Sequence, residues 1–242
     1  MTRFFVERVE GDRVRLDKED SHHLLRVLRA RVGEPFTVLC GGMEYHCRLV
    51  GHHEGYAHGE VVETRPATGE PAVHITLFQG LAKGDKLETV IQQGTQLGIN
   101  EFVPVVTSRS VVKLEPRKAA ERVQRWRRIA REAAAQSRRG AVPHVRDVEH
   151  WHHVVTQSRH YDLALVPWEE GGEPLRSVLA DVPAPRRIAI FIGPEGGFAP
   201  EEISLAREHG ARPVTLGPRI LRTELAGLVA AAVTLFTLGE LG

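Results

Sequence analysis

The sequence predicts an α/β protein in two parts, a small β-barrel followed by a mostly parallel sheet with helices on both faces. Three observations carry this. Strand-like runs before residue 64 are short and closely spaced. The stretch TRPATGEPAV, Thr64–Val73, holds two prolines and a glycine with little apolar content and reads as a linker. Beyond it, continuous apolar runs alternate with helical patterns, as expected for parallel strands buried on both faces. The expected domains are 1–68 and 73–242, which suit a chain of 242 residues.

In the first part, Phe4–Val9, Val14–Leu16, Pro35–Cys40, Glu44–Val50 and Gly59–Thr64 read as strands. Turn signals fall at Gly11-Asp12, Gly33-Glu34 and Gly41-Gly42. Asp20-Ser21 is the expected cap of a helix with apolar positions Leu24, Leu25, Val27 and Leu28. Cys40 and Cys47 are placed to face each other across a hairpin. Two cysteines make no disulfide framework, so they read as reduced and half-buried.

The second part opens on the strand His74–Leu81, and Asp85 caps a helix running to Gly98. Phe102–Thr107 is the next strand. Pro116 starts a long helix to about Arg138, with Val123, Trp126, Ile129, Ala130, Ala133 and Ala134 on one face. Leu163–Pro167, Ile188–Ile192 and Val214–Leu216 are apolar strands, with helices at Glu173–Leu179, Pro200–His209 and Thr223–Leu238. The last helix is apolar nearly all round, which fits burial on several sides, an interface included. Trp126 and Trp151 read as packing residues.

Composition narrows the function classes. No apolar run is long enough for a membrane span, and the charged N-terminus lacks a signal-peptide core, so a cytoplasmic location is the expectation. Net charge is only +1, but residues 109–139 hold nine arginines and two lysines against three glutamates, a net of +8. A second arginine-rich region lies within the first 31 residues. One charge run alone reads more readily as a solvated helix face. Two separate ones, both richer in Arg than Lys, point to nucleic acid. Arg3, Arg8, Arg26, Arg109, Arg127, Arg131 and Arg138 are the candidate RNA contacts. The thirteen histidines show no zinc spacing, so no metal is expected. Ser108 and Ser110 have no histidine or acid partner in the pattern of a hydrolase triad.

Two loops stand where predicted parallel strands end, which is where open α/β sheets bind ligands. One is Gly193-Pro-Glu-Gly-Gly-Phe; the other runs Leu216-Gly-Pro-Arg-Ile-Leu-Arg-Thr-Glu to Glu224. Leu165-Val-Pro-Trp168, with Leu165 and Pro167 as its candidate contacts, marks a third strand end. Neither loop is Gly-x-Gly-x-x-Gly or a Walker A loop, which disfavours ordinary dinucleotide or NTP binding. Gly193, Gly196, Gly197 and Gly217 allow a ligand to lie close to the backbone. Leu216, Ile220 and Leu221 offer an apolar slot. Glu195 either holds a ligand hydroxyl or caps the following helix.

FIGPEGGFAPEEI, LGPRILRTE, LAKGDKLETVIQQGTQLGINEFVPVVTSRSVV and RWRRIAREAAAQSRR together resemble the RsmE family, small-subunit ribosomal RNA uridine-N3 methyltransferases of the SPOUT superfamily. HHLLRVLRARVGE is similar to that family's PUA-like domain, so the resemblance spans nearly the whole chain. It implies a SPOUT-type C-terminal domain with a trefoil knot behind a PUA-like β-barrel. It implies S-adenosyl-L-methionine as cofactor, held by Leu165, Pro167, Gly193, Glu195, Gly196, Gly197, Leu216, Gly217, Ile220, Leu221 and Thr223. It implies a homodimer acting on 16S ribosomal RNA of the small ribosomal subunit. Arg219 and Arg222 are then candidates to stabilise a uracil anion, and Glu224 either takes a proton or only favours the helix dipole. The alternatives are a SPOUT methyltransferase on another RNA such as tRNA, or a non-catalytic RNA-binding assembly factor. One departure stands out: the family's Thr-Ala-Pro after Arg-Thr-Glu is here Leu225-Ala226-Gly227.

Overall fold

The computed structural model describes residues 2–112 and 115–242. It divides into two compact units, one running to Glu70 and including Ala134–Val142, the other comprising Pro71–Ala133 and Pro143–Gly242. Residues 134–142 lie inside the range 73–242 read from the sequence, yet they pack with the N-terminal unit. Ala134 is buried against Phe5 and Leu39. The Glu70 carboxylate accepts from the Arg139 guanidinium and from the amides of Gly140 and Ala141. The helical pattern runs on through this handover, so periodicity alone does not reveal it.

The N-terminal unit holds strands β1 (Arg3–Phe5), β2 (Arg13–Arg15), β3 (Pro35–Cys40), β4 (Met43–His53) and β5 (Tyr56–Pro66), with helix α1 (Lys18–His22). The sheet order is β1-β3-β4-β5-β2, and no ladder joins the two end strands among the described residues. Phe4, Val14, Leu16, Phe36, Val38 and Leu49 form its core. β1 ends earlier than expected because its partner runs out: Phe5 pairs with Leu39, one residue before the end of β3. The helix is capped by Asp17, whose carboxylate accepts the Asp20 amide at 2.8 Å. Ser21 is instead inside, donating to the Leu16 carbonyl and accepting from the Ala57 amide. Past His22 the chain widens into a π-type turn, which leaves Val27 and Leu28 exposed and buries Leu24. Cys40 pairs with Met43 and Cys47 with Phe36, so the thiols do not face each other. Both are free, and burial pushes Cys47 up to about 11.

The C-terminal unit is built on eight strands: β6 (His74–Gly80), β7 (Glu101–Val106), β8 (His144–Val145), β9 (Glu149–His150), β10 (Leu163–Pro167), β11 (Glu173–Pro174), β12 (Arg187–Ile192) and β13 (Arg212–Thr215). Their order is β11-β13-β10-β12-β6-β7-β8, with β9 pairing farther along β7. Every pairing in this sheet is parallel. The main helices are α2 (Lys86–Leu97), α3 (Pro116–Gln136), α4 (Trp151–Val155), α5 (Leu175–Asp181), α6 (Pro200–Glu208) and α7 (Thr223–Thr237). Aromatic residues fill the layer between sheet and helices: Phe78 stacks on Phe191 at 4.4 Å, and Trp151 meets Phe191 edge-on. Trp126 and Trp151 are buried packing residues. Because β13, β10 and β12 are neighbours and parallel, the loops leaving them emerge side by side at one rim.

α7 packs on α2, β12 and β6. Its Leu228, Ala231 and Leu235 face inward, while Leu225, Val233 and Phe236 are exposed. Phe236 is 68% exposed, a large apolar ring in water that this chain alone does not cover. No helix among the described residues is long and apolar enough to cross a membrane.

Candidate functional site

A cavity of about 750 Å³ opens at that rim. Its wall comes from three loops, one after each of β10, β12 and β13, and from the first turns of α2 and α7. Of the residues singled out in the sequence, Pro167, Gly193, Glu195, Gly197, Leu216, Gly217, Arg219, Ile220, Leu221, Arg222, Thr223 and Glu224 all lie on this wall. Leu165 and Gly196 do not. Leu165 is fully buried in β10, between Ile190 and Arg212. Gly196 faces the other way, toward Arg109.

The loop after β12 is closed on itself by a bond from the Gly197 amide to the Pro194 carbonyl at 2.9 Å. Gly197 has φ +66°, and an added Cβ would lie 2.2 Å from Glu169 Oε1. The glycine therefore makes room for a carboxylate from the neighbouring loop. The loop is also braced from outside. Arg109 donates to the Gly196 carbonyl at 2.9 Å, and Glu202 accepts from the amides of Ser108 and Ala199.

Glu195 does not cap α6, because Glu202 satisfies the Ala199 amide there. Its Oε1 accepts from the Lys83 amide and from Lys86 Nζ, each at 2.9 Å. Partial burial pushes the Glu195 carboxyl up, but the Lys86 ammonium and the Lys83 amide together outweigh it and hold it below its ordinary value. The same bond to Glu195 raises Lys86, with Glu224 adding to the effect and Arg222 opposing it. Two cations and two carboxylates thus meet at one end of the cavity.

Thr223 joins the second loop to the first. Its hydroxyl accepts from Gln79 at 2.9 Å and donates to the Gly193 carbonyl at 2.6 Å. Gly227 sits just above the same glutamine; an added Cβ would lie 3.1 Å from Leu77 and 3.2 Å from Gln79. Leu225, at the other departure from the family pattern, is exposed, so the missing hydroxyl costs no buried contact.

Several wall groups offer unused bonding capacity. Trp168 Nε1 is buried without a hydrogen-bond partner among the described residues. Glu169, Arg219 and Arg222 are exposed and have no hydrogen-bond or ion-pair partner among the described residues. Lys86 and Glu169 escaped the sequence reading, and Trp168 entered it only as the edge of the third strand end. The available signal was topological: Lys86 follows β6, and Trp168 and Glu169 follow β10, strands that end at the same rim.

The arginines singled out as RNA contacts are not alike. Arg3 is turned inward, 11% exposed, between Glu44 and the Arg138 carbonyl. Arg109 braces the loop as described. Arg127 is held by the Val145 carbonyl and Asp147. Arg131 is engaged within the chain. Arg8 is exposed beside Glu10, while the side chains of Arg26 and Arg138 are exposed and unpaired among the described residues. No cluster of three or more potential metal ligands occurs among the described residues.

A family model for an RNA methyltransferase domain matches residues 69–235. The ribosomal RNA small subunit methyltransferase E of Bacillus subtilis is 34% identical over 243 residues, 95% of this chain and 94% of that protein. The protein of the same name from Synechocystis is 36% identical over 224 residues, 90% of this chain and 71% of that one. Among solved structures, the ribosomal RNA small subunit methyltransferase E of Neisseria gonorrhoeae, crystallised with S-adenosyl methionine, superposes with a TM-score of 0.86 at 30% identity, over 98% of each chain.

Proposed function

The chain belongs to the ribosomal RNA small subunit methyltransferase E family, and from that premise we propose that it methylates N3 of a uridine in 16S ribosomal RNA, with S-adenosylmethionine as donor. The observation that carries this reading is the cavity itself, enclosed by loops from three adjacent parallel strands and walled by Arg219 and Arg222, which no carboxylate occupies among the described residues.

The wall suits the donor. Leu216, Ile220 and Leu221 form an apolar ledge for adenine, with backbone amides at hand. The unpartnered Trp168 N–H and the Glu169 carboxylate are polar groups able to meet ribose hydroxyls or the amino-acid part. Pro167, Gly193, Gly197, Gly217 and Thr223 complete the cradle. The bound cofactor supplies an electrophilic methyl on a sulfonium. The chain's own residues must bring a nucleophile in line with it and dispose of a proton. Uracil N3 is protonated and weakly nucleophilic, and losing its proton spreads negative charge onto O2 and O4. Arg219 and Arg222 offer uncommitted donors to those oxygens, and Glu224 receives the proton. N3 is on the Watson–Crick edge, so the base enters unpaired.

The reading extends to the assembly. The exposed Leu225, Val233 and Phe236 of α7 support a homodimer closed over that helix. A trefoil knot at the chain's end and a PUA-like β-barrel at its start belong to the same proposal. A ribosomal substrate places the protein in the cytoplasm. RNA contact falls to the exposed cations of the N-terminal unit. Replacing Arg26 and Arg138 with alanine should weaken binding to the substrate and flatten its salt dependence by about one to two charges. Titration across salt concentrations checks this; an unchanged slope removes both from the interface.

Incubating the protein with labelled S-adenosylmethionine and either hypomethylated small subunits or tRNA tests the main reading. Label should enter the 16S RNA and digest to 3-methyluridine. Label in tRNA would favour the other enzyme class. Cofactor binding without any transfer would favour an assembly factor.

A further inference from the structure

Lys86 lies at the junction of the site yet does no work in the scheme above. It is the first residue of α2, and its ammonium reaches two other elements. Nζ is 2.9 Å from Glu195 Oε1 on the loop after β12 and 3.7 Å from Glu224 Oε2 in the first turn of α7. Glu224 Oε2 is buried and has no hydrogen-bond partner among the described residues, while the side chain as a whole keeps 22% of its exposure. A donor entering the cavity therefore meets the other oxygen. Among the described residues the ion pair to that oxygen comes from Lys86, whose charge Arg222 opposes.

We propose that Lys86 is a positioning residue for methyl transfer: its ammonium ties Glu195 to α2 and fixes Glu224 with Oε2 inward, so that Oε1 faces the reacting base. A carboxylate half-buried without a compensating cation would swing out to water. Lys86 prevents that swing without touching the substrate. The bond from the Lys83 amide holds Glu195 independently, so the cofactor loop keeps one anchor when Lys86 is lost. The proposal rests on the methyltransferase reading.

Lys86→Met keeps the aliphatic stem and removes the charge. Binding of S-adenosylhomocysteine, measured by calorimetry, should weaken less than about fivefold, because the Lys83 anchor remains. Single-turnover methylation at saturating donor and small subunit should slow by about tenfold to a hundredfold, the scale of a misplaced catalytic group. Lys86→Arg should recover most of the rate. Lys86→Met combined with Glu224→Gln should be no slower than Glu224→Gln alone, since both changes act on one group. Wild-type rates in Lys86→Met, no recovery by arginine, or additive losses in the double variant would each overturn the proposal while leaving the function standing. A wild-type protein that transfers no methyl to any RNA would overturn both.

Discussion

Gly193→Val should abolish cofactor binding, with S-adenosylhomocysteine affinity falling by about a thousandfold, or 4 kcal/mol. The reason is the loop, and the ligand enters only second. A Cβ at Gly193 would lie 2.9 Å from the Gly197 carbonyl carbon and 3.1 Å from the Phe198 nitrogen. Both are backbone atoms of the loop's returning limb, which no side-chain rotation can move. Retreat toward the sheet is closed as well. A Cβ on Gly80 would lie 2.5 Å from the Pro194 nitrogen, so the outgoing limb already rests on β6. The loop must therefore open, breaking the bond between the Gly193 carbonyl and the Thr223 hydroxyl. Overpacking of this kind costs about 1–3 kcal/mol of stability, which a sheet with this much buried core should survive. The variant should fold and fail to bind. Gly217→Val is the milder comparison: nothing lies within 4 Å of its added Cβ, so only strain at φ +106° remains, about 1–3 kcal/mol. Calorimetry on both variants decides the matter. A Gly193→Val protein that binds within about threefold of wild type would mean the cofactor does not use this loop.

The parallel sheet was readable because its strands are short, apolar throughout and separated by helical patterns. Leu163–Pro167 reads as a strand from its side chains alone and is one. Strands β8, β9 and β11 are two residues each, too short for any period to register. The two loops were readable because glycine and proline cluster at strand ends. Which neighbour demands each glycine was not, since Gly197 answers to Glu169 from a loop distant in sequence, and Gly193 to the way its own loop folds back onto Gly197. Charge was the least readable feature. A composition count sees nine arginines over residues 109–139. Several are spoken for inside the fold, as Arg125 is by Glu88 and Arg127 by Asp147. Pairing partners 20 to 40 residues away are set by how α3 lies on its unit, which the run itself cannot show.

The site's division of labour sets the second large effect. Arg222→Ala should leave S-adenosylhomocysteine affinity within a few fold of wild type and lower the methyl-transfer rate by about 10²–10³, the loss seen when one fixed donor to a developing anion is removed. Its side chain has no hydrogen-bond or ion-pair partner among the described residues, so truncation leaves no buried group stranded. A structural role would instead appear as lost stability, and none is expected. The proposed chemistry also separates Arg222 from Glu224 by pH. If Glu224 takes the N3 proton, Glu224→Gln must wait for the base to ionise in solution, and its rate should climb about tenfold per pH unit while the wild-type rate changes less. Arg222→Ala retains the proton acceptor but lacks the donor to O2 or O4. Its profile should keep the wild-type shape, displaced downward. If the two variants show the same steep climb, the arginine and the glutamate act as one unit. If Arg222→Ala turns over at the wild-type rate, anion stabilisation rests on Arg219 or on the backbone, and Arg222 serves the RNA instead.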